Sequence, residues 1–223
     1  KWNGKIVSSE NTTYEKDFVN ILKCNHSAFN FPEVSQSTVV KEGLYDYPKI
    51  IEYNNQNSVL GLDKLSINKN YIKAKLNFVN GYYGKKYRMR IYTLFFVNKD
   101  VKTAFLPEAY WDGGNQNELV VCIGIDKSGN IQWVKPFSWC DNKRIIVDTR
   151  EDLTLMGKVD ADKMCTIYID NIKNFWHFKS FKDFNYLSFE PTTGQLIFVY
   201  LFTFLISIGS FVWCVLNNNK NEY

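Results

Sequence analysis

The feature that decides the architecture is an uninterrupted apolar stretch near the C-terminus, residues 195–216, which reads QLIFVYLFTFLISIGSFVWCVL. It carries no charge over 22 positions, and an α-helix needs about 20 apolar residues to cross roughly 30 Å of hydrocarbon. A core helix of a soluble domain is usually shorter and has a polar stripe. The sequence therefore predicts one C-terminal transmembrane helix over residues 195–216, followed by a polar tail over 217–223.

Small, weakly polar side chains recur along this predicted helix at spacings of four, three and four residues, which places them on one side. They are Thr203, Ser207, Ser210 and Cys214. Such a stripe lets two helix backbones approach closely in lipid. We expect it to pack against another transmembrane helix, from a second copy or a different subunit. The alternative is that the hydroxyls bond back to the carbonyl four residues earlier.

The segment before the helix, residues 173–194, is rich in aromatic residues interleaved with lysines. Aromatic rings favour the headgroup level of a bilayer, and lysine side chains can reach from there to water. We expect membrane-interface contacts from Phe175, Trp176, Phe178, Lys179, Phe181 and Lys182. The alternative is that the segment covers the core of the domain before it.

Residues 61–172 show the patterning of an α+β or small α/β domain with a mixed sheet. Residues 87–97 alternate in their first half and are continuously apolar in their second, which predicts a strand running from a surface into a core. Strands over 119–125 and 131–137 flank a Gly-containing turn, which predicts a β-hairpin. Helical spacing predicts helices over 70–79 and 101–111 and from residue 162 onward. A further short strand is predicted over 144–148.

The first 60 residues predict less regular structure. Helical spacing of Tyr14, Phe18, Ile21 and Leu22 indicates one short helix. The stretch that follows is rich in Pro, Ser and Asn and reads as irregular, with one strand over 50–53.

Charge is spread unevenly along the chain. The net charge is only +4, from 27 basic and 23 acidic residues, too small for bulk attraction to nucleic acid. Residues 63–104, however, contain ten basic and two acidic residues. We expect a basic patch at Lys85, Lys86, Arg88 and Arg90 to contact anionic lipid headgroups or an acidic partner subunit. The Gly-x-x-Gly spacing of residues 81–84 occurs in nucleic-acid-binding loops between helices, but a strand follows here, so no nucleic-acid partner is expected.

The sequence indicates no catalytic, cofactor-binding or metal site. The chain has two histidines, no phosphate-cradling or dinucleotide glycine motif, and five scattered cysteines that read as reduced thiols. Asp126, Ser128 and Asn130 resemble the start of a calcium loop, but Ile131 stands where such a loop needs Gly. A hairpin turn explains them better.

These features favour a non-catalytic single-pass membrane protein that acts as an accessory subunit of a larger membrane complex. Two alternatives remain open: a membrane-anchored enzyme whose site the sequence does not reveal, and a sensor domain or one that binds anionic lipid. Phe, Tyr, Met, Ile, Asn and Lys, whose codons are AT-rich, make up 99 of 223 residues. This bias fits an organelle such as the mitochondrion, and we expect the mitochondrial inner membrane as the location.

Overall fold

The computed structural model of the chain describes residues 31–48, 58–64, 68–180, 183, 191 and 193–218. The chain divides into two compact units, residues 1–185 and 186–223. The first contains a four-stranded mixed sheet covered by helices, and the second contains one long apolar helix. The predicted fold class is therefore confirmed. The helix over residues 14–22, the strand over 50–53 and the predicted contacts of Phe181 and Lys182 lie outside the described residues.

The sheet is made of four strands that lie side by side in chain order. They are β1 (Val59–Leu60), β2 (Arg90–Val97), β3 (Glu118–Ile125) and β4 (Ile131–Phe137). The first three are parallel, and β4 runs antiparallel to β3 as the predicted hairpin requires. Because both faces of the sheet are covered, β2 and β3 are buried almost throughout, and this is why their sequences are continuous apolar runs.

The turn of the hairpin is held by one aspartate. The Asp126 carboxylate accepts hydrogen bonds from the backbone N–H groups of Ser128 (2.8 Å) and Asn130 (2.9 Å). The hydrogen bond from the Asn130 side chain contributes most to holding the pKa of Asp126 below its usual value, and the two backbone bonds add to the effect. The residues that resemble a calcium loop thus close a turn.

Three helices cover one face of the sheet, and their inner sides form the larger core. They are α2 (Lys69–Val79), α5 (Arg144–Met156) and α6 (Ala161–Phe175). Asp160 caps α6 by accepting from the backbone N–H groups of Asp162 and Lys163.

The strand predicted over residues 144–148 is wrong, because these residues begin α5. Ile145, Thr149 and Leu153 are buried at four-residue spacing along one side of this helix. That period belongs to a helix, but a window of five residues is too short to distinguish it from a strand.

The other face of the sheet is covered by α1 (Gln36–Glu42), a 3₁₀ turn (Val101–Phe105) and α4 (Leu106–Tyr110). The single helix predicted over residues 101–111 is therefore two short helical segments. Pro107 lies at the beginning of α4, where the missing N–H of proline is tolerated. The β1–β2 and β2–β3 connections both move one strand further across the sheet in the same direction. The first crosses one face of the sheet and the second crosses the other face, so the two crossovers have opposite handedness.

The Gly-x-x-Gly residues continue α2 as a π turn (Asn80–Gly84), which leads into α3 (Lys85–Tyr87). The sequence prediction that a strand follows them directly is therefore wrong, because β2 begins only at Arg90. The Asn80 side chain accepts from the backbone N–H of Ile91 (2.7 Å) and donates to its carbonyl (2.9 Å). This tie to β2 fixes the point where the helix changes its winding, and such turns often occur at functional positions.

The second unit contains α7 (Thr193–Asn218), which begins and ends two residues beyond the prediction. Its mean hydropathy is 2.2 over the most apolar window. Among the described residues it is the one helix long and apolar enough to cross a membrane.

Candidate functional site

The predicted basic patch belongs to a larger exposed surface formed by α2, the π turn and α3, which we call the α2–α3 surface. It consists of Tyr71, Lys73, Phe78, Tyr82, Lys85, Lys86 and Arg88. The opposite side of α2 is buried through Ile72, Leu76 and Val79. The helix period thus separates a core side from an outer side that carries rings and cations.

The structure separates Arg90 from the rest of the predicted patch. Arg90 begins β2, is half-buried, and donates from Nη1 to the Tyr92 hydroxyl (3.2 Å). Lys85, Lys86 and Arg88 lie on α3 and at its C-terminal end, and all three are exposed. The accessible part of the patch is therefore these three cations.

The cations of the α2–α3 surface differ in their partners. Lys75, at the edge of this surface, forms an ion pair of 2.7 Å with Asp162. This hydrogen-bonded contact raises the pKa of Lys75 and lowers that of Asp162. Lys73, Lys85 and Lys86 make no ion pair with any residue in the described part of the chain.

The segment that leaves α6, residues 176–180, lies against α3 and the start of β3; we call it the exit segment. Trp176 is 6% exposed, and its indole Nε1 donates to the Tyr87 carbonyl (3.1 Å). Lys179 is 8% exposed, its backbone N–H donates to Asn117, and its ammonium pairs with Asp141. These two side chains therefore pack within the domain, which was the alternative for this segment. Membrane contact by the other predicted residues stays a prediction.

Two aromatic rings remain accessible, one within the exit segment and one directly before it. Phe178 is 44% exposed, and the Arg88 guanidinium lies 5.2 Å from its ring centroid. Phe175 is half-buried beneath the Arg144 guanidinium, at 5.0 Å. Arg88 and Phe178 thus join the predicted basic patch to the predicted membrane-interface set, which the sequence places 90 positions apart.

The small-residue stripe lies on α7 with its hydroxyls bonded inside the helix. Thr203, Ser207 and Ser210 each donate to the carbonyl four residues earlier, at 2.8, 2.9 and 2.8 Å. Cys214 is a free, exposed thiol. The hydroxyls therefore need no external partner, and what the stripe offers another helix is close approach.

Sequence reasoning missed a buried carboxylate, that of Glu118, on the other face of the sheet. Glu118 at the start of β3 accepts hydrogen bonds from the Tyr47 hydroxyl and from the backbone N–H of Asn115 (3.0 Å). Burial raises the pKa of Tyr47, and the neighbouring Glu118 charge adds to the effect. The bonds fasten residues 44–48 to the sheet, so the geometry is that of a clamp. Tyr47 is 71 positions away, and no local pattern signals the pair.

Two of the buried thiols, Cys122 and Cys165, are not activated. Burial raises the pKa of the Cys122 thiol, and burial raises that of Cys165 to about 11. A nucleophilic cysteine needs the opposite shift. Both thiols lie in the core and act there as small apolar residues. The described residues contain no group of three His, Cys, Asp or Glu side chains arranged to hold a metal ion.

No protein-family model matches the chain, and neither a curated protein nor a solved structure matches it.

Proposed function

We propose that the chain is a single-pass membrane protein that serves as a non-catalytic accessory subunit of a larger membrane assembly, with α7 packed against a helix of another subunit. The observation that supports this is the difference in side-chain volume between the two sides of α7. The stripe side carries Thr203, Ser207, Ser210 and Cys214, as named above. The opposite side carries Leu201, Leu205, Ile208 and Val212.

The two sides suit different neighbours in a bilayer. Large apolar side chains are at home among lipid chains, and small ones allow the backbones of two helices to come close. Because the hydroxyls of the stripe are already bonded to backbone carbonyls, a partner can cover them without leaving a donor unsatisfied. Packing is therefore the force that holds this contact, and packing is sensitive to added volume.

The composition favours the mitochondrial inner membrane as the place of this assembly, since residues with AT-rich codons are so abundant. Fractionation of the source cells tests this location, because a tagged chain should be retained in the fraction that contains the mitochondrial inner membrane.

Adding volume to the stripe should dissociate the assembly. The double substitution Ser207→Leu with Ser210→Leu places two branched side chains where the partner backbone would lie, so a close contact cannot form. We expect the affinity between the helices to fall at least about 10-fold, which corresponds to roughly 1.4 kcal/mol. A two-hybrid assay in a membrane, with α7 as bait, measures this affinity.

The matched control changes the opposite side of the same helix. Ile208→Leu with Val212→Leu alters side-chain shape where lipid is expected, and association should stay at the level of the unchanged chain. Equal association by the stripe variant and the control would show that the stripe makes no helix contact.

A further inference from the structure

We propose that the α2–α3 surface binds anionic lipid headgroups of the membrane that α7 enters. The inference uses the membrane anchor but does not depend on the packing of α7 against another subunit.

The charge contributed by the α2–α3 surface is positive, and Asp162 of α6 is the acidic residue that contacts it, through Lys75 and Tyr71. Between Asp63 and Asp100 the sequence contains nine basic residues and no acidic residue. In the structure, Lys73, Lys85, Lys86 and Arg88 are exposed and make no ion pair within the described part of the chain. Unpaired cations on one helical segment attract an anionic surface, and each one close to the surface contributes about fivefold in affinity.

Exposed aromatic rings lie on the same helical segment as these cations. Tyr71, Phe78 and Tyr82 are all more than two-fifths exposed. Phe78 and Tyr82 stack with ring centroids 6.1 Å apart, and the Lys75 ammonium lies 5.3 Å from the Tyr71 centroid. Aromatic rings flanked by lysines match the layering of a membrane interface, where rings sit at headgroup depth and ammonium groups meet phosphate.

The α2–α3 surface also adjoins the exit segment, which leads along the chain towards α7. Arg88 lies over Phe178, and the Tyr87 carbonyl accepts from Trp176, so the α2–α3 surface ends at the exit segment. Ser180 precedes Thr193, the first residue of α7, by 13 positions. A short tether gives the surface a high effective concentration of headgroups, so weak individual contacts are enough to hold it.

An acidic protein is the competing occupant for such a surface. Lysines pair with carboxylates as well as with phosphates, but the three exposed rings of the α2–α3 surface fit a bilayer better than they fit a strongly acidic surface. The experiment below separates the two.

The test uses the full chain, one copy per lipid nanodisc, in neutral phosphatidylcholine and in discs with about 30% phosphatidylserine. A neutral reagent, acetic anhydride, reports lysine accessibility by mass spectrometry. We expect acetylation of Lys73, Lys85 and Lys86 to slow about 10-fold in the anionic discs and to recover in 0.5 M NaCl, because salt screens the attraction. Lys127 and Lys158, which are exposed elsewhere on the domain, should react equally in both.

A charge reversal completes the design. Lys85→Glu with Lys86→Glu should abolish the protection of Lys73, and the matched pair Lys127→Glu with Lys158→Glu should leave it intact. Equal acetylation in neutral and anionic discs would overturn the proposal. Protection that appears only when an acidic protein is added to the discs would also overturn it, in favour of that partner. The stripe variant with leucine at positions 207 and 210 should keep the protection, so the two proposals fail separately.

Discussion

Replacing Leu205 and Ile208 with arginine should release the chain from membranes. Both positions lie near the middle of α7, where the bilayer would be driest, and on the side away from the small-residue stripe. An arginine at the centre of a transmembrane helix costs about 2.5–3.5 kcal/mol on insertion scales, so two should move most of the protein to the aqueous fraction. Sedimentation after extraction at alkaline pH measures the fraction that remains in the pellet.

The control for this result keeps the same positions apolar. Leu205→Ile with Ile208→Leu should leave the chain in the pellet, as the unchanged chain is expected to behave. If the double arginine variant also stayed in the pellet after alkaline extraction, α7 would not be what holds the chain to membranes.

Trp176→Ala should lower the free energy of unfolding of the soluble domain by about 3–5 kcal/mol, the usual cost of removing a large buried aromatic side chain. The ring is 6% exposed, packs in the larger core, and loses its hydrogen bond to the Tyr87 carbonyl on truncation. Since whole domains are stable by about 5–15 kcal/mol, this is a large part of the total. Denaturant unfolding of the full chain in mild detergent, followed by near-UV circular dichroism, measures the change.

The neighbouring Phe178→Ala is the matched comparison. Phe178 is 44% exposed, so its loss should cost less than about 1 kcal/mol. If the Trp176 ring only contacted lipid headgroups, its removal would cost equally little stability. Equal stability of the two variants would therefore return Trp176 to the membrane-interface set and remove it from the core.

Local patterns were enough to predict α2, α6 and α7 and the strands β2, β3 and β4, but not β1, α3 or α1, which lies in a stretch predicted to be irregular. The apolar runs of β2 and β3 follow from burial on both faces of the sheet. The 22 uncharged residues of α7 give an equally strong signal, because their length and composition suit a membrane span. The turn at residues 126–130 follows from Asp, Asn and Gly chemistry within five positions. In each case the cause and the consequence lie close together in the sequence.

The parts that could not be predicted depend on distant partners. Glu118 and Tyr47 are 71 positions apart. The backbone N–H of Lys179 donates to the side-chain oxygen of Asn117, 62 positions earlier. Aromatic residues and lysines near a membrane segment fit an interface and a core contact equally well by composition, and only the fold shows that Trp176 and Lys179 are buried. The α5 helix was missed because its buried side emerges only over three turns.

The basic residues between positions 63 and 104 also show what the sequence predicts and what only the fold shows. Its charge was visible in the sequence, but the assignment of each cation was not: Lys75 pairs with Asp162, and Arg90 turns to Tyr92. The cations that remain exposed without an ion pair among the described residues include Lys85, Lys86 and Arg88. Only the fold therefore shows which of these cations are exposed and which are held by a neighbouring side chain.

The most direct test of the proposed role is the mass of the particle that contains the chain when its native membranes are solubilised into nanodiscs. The account predicts one discrete particle in which the chain and at least one other transmembrane polypeptide, or a second copy, occur in a fixed ratio. It also predicts that the leucine substitutions at Ser207 and Ser210 reduce this particle to a single chain. A single chain in the unchanged protein, or the same assembly in both, would contradict it.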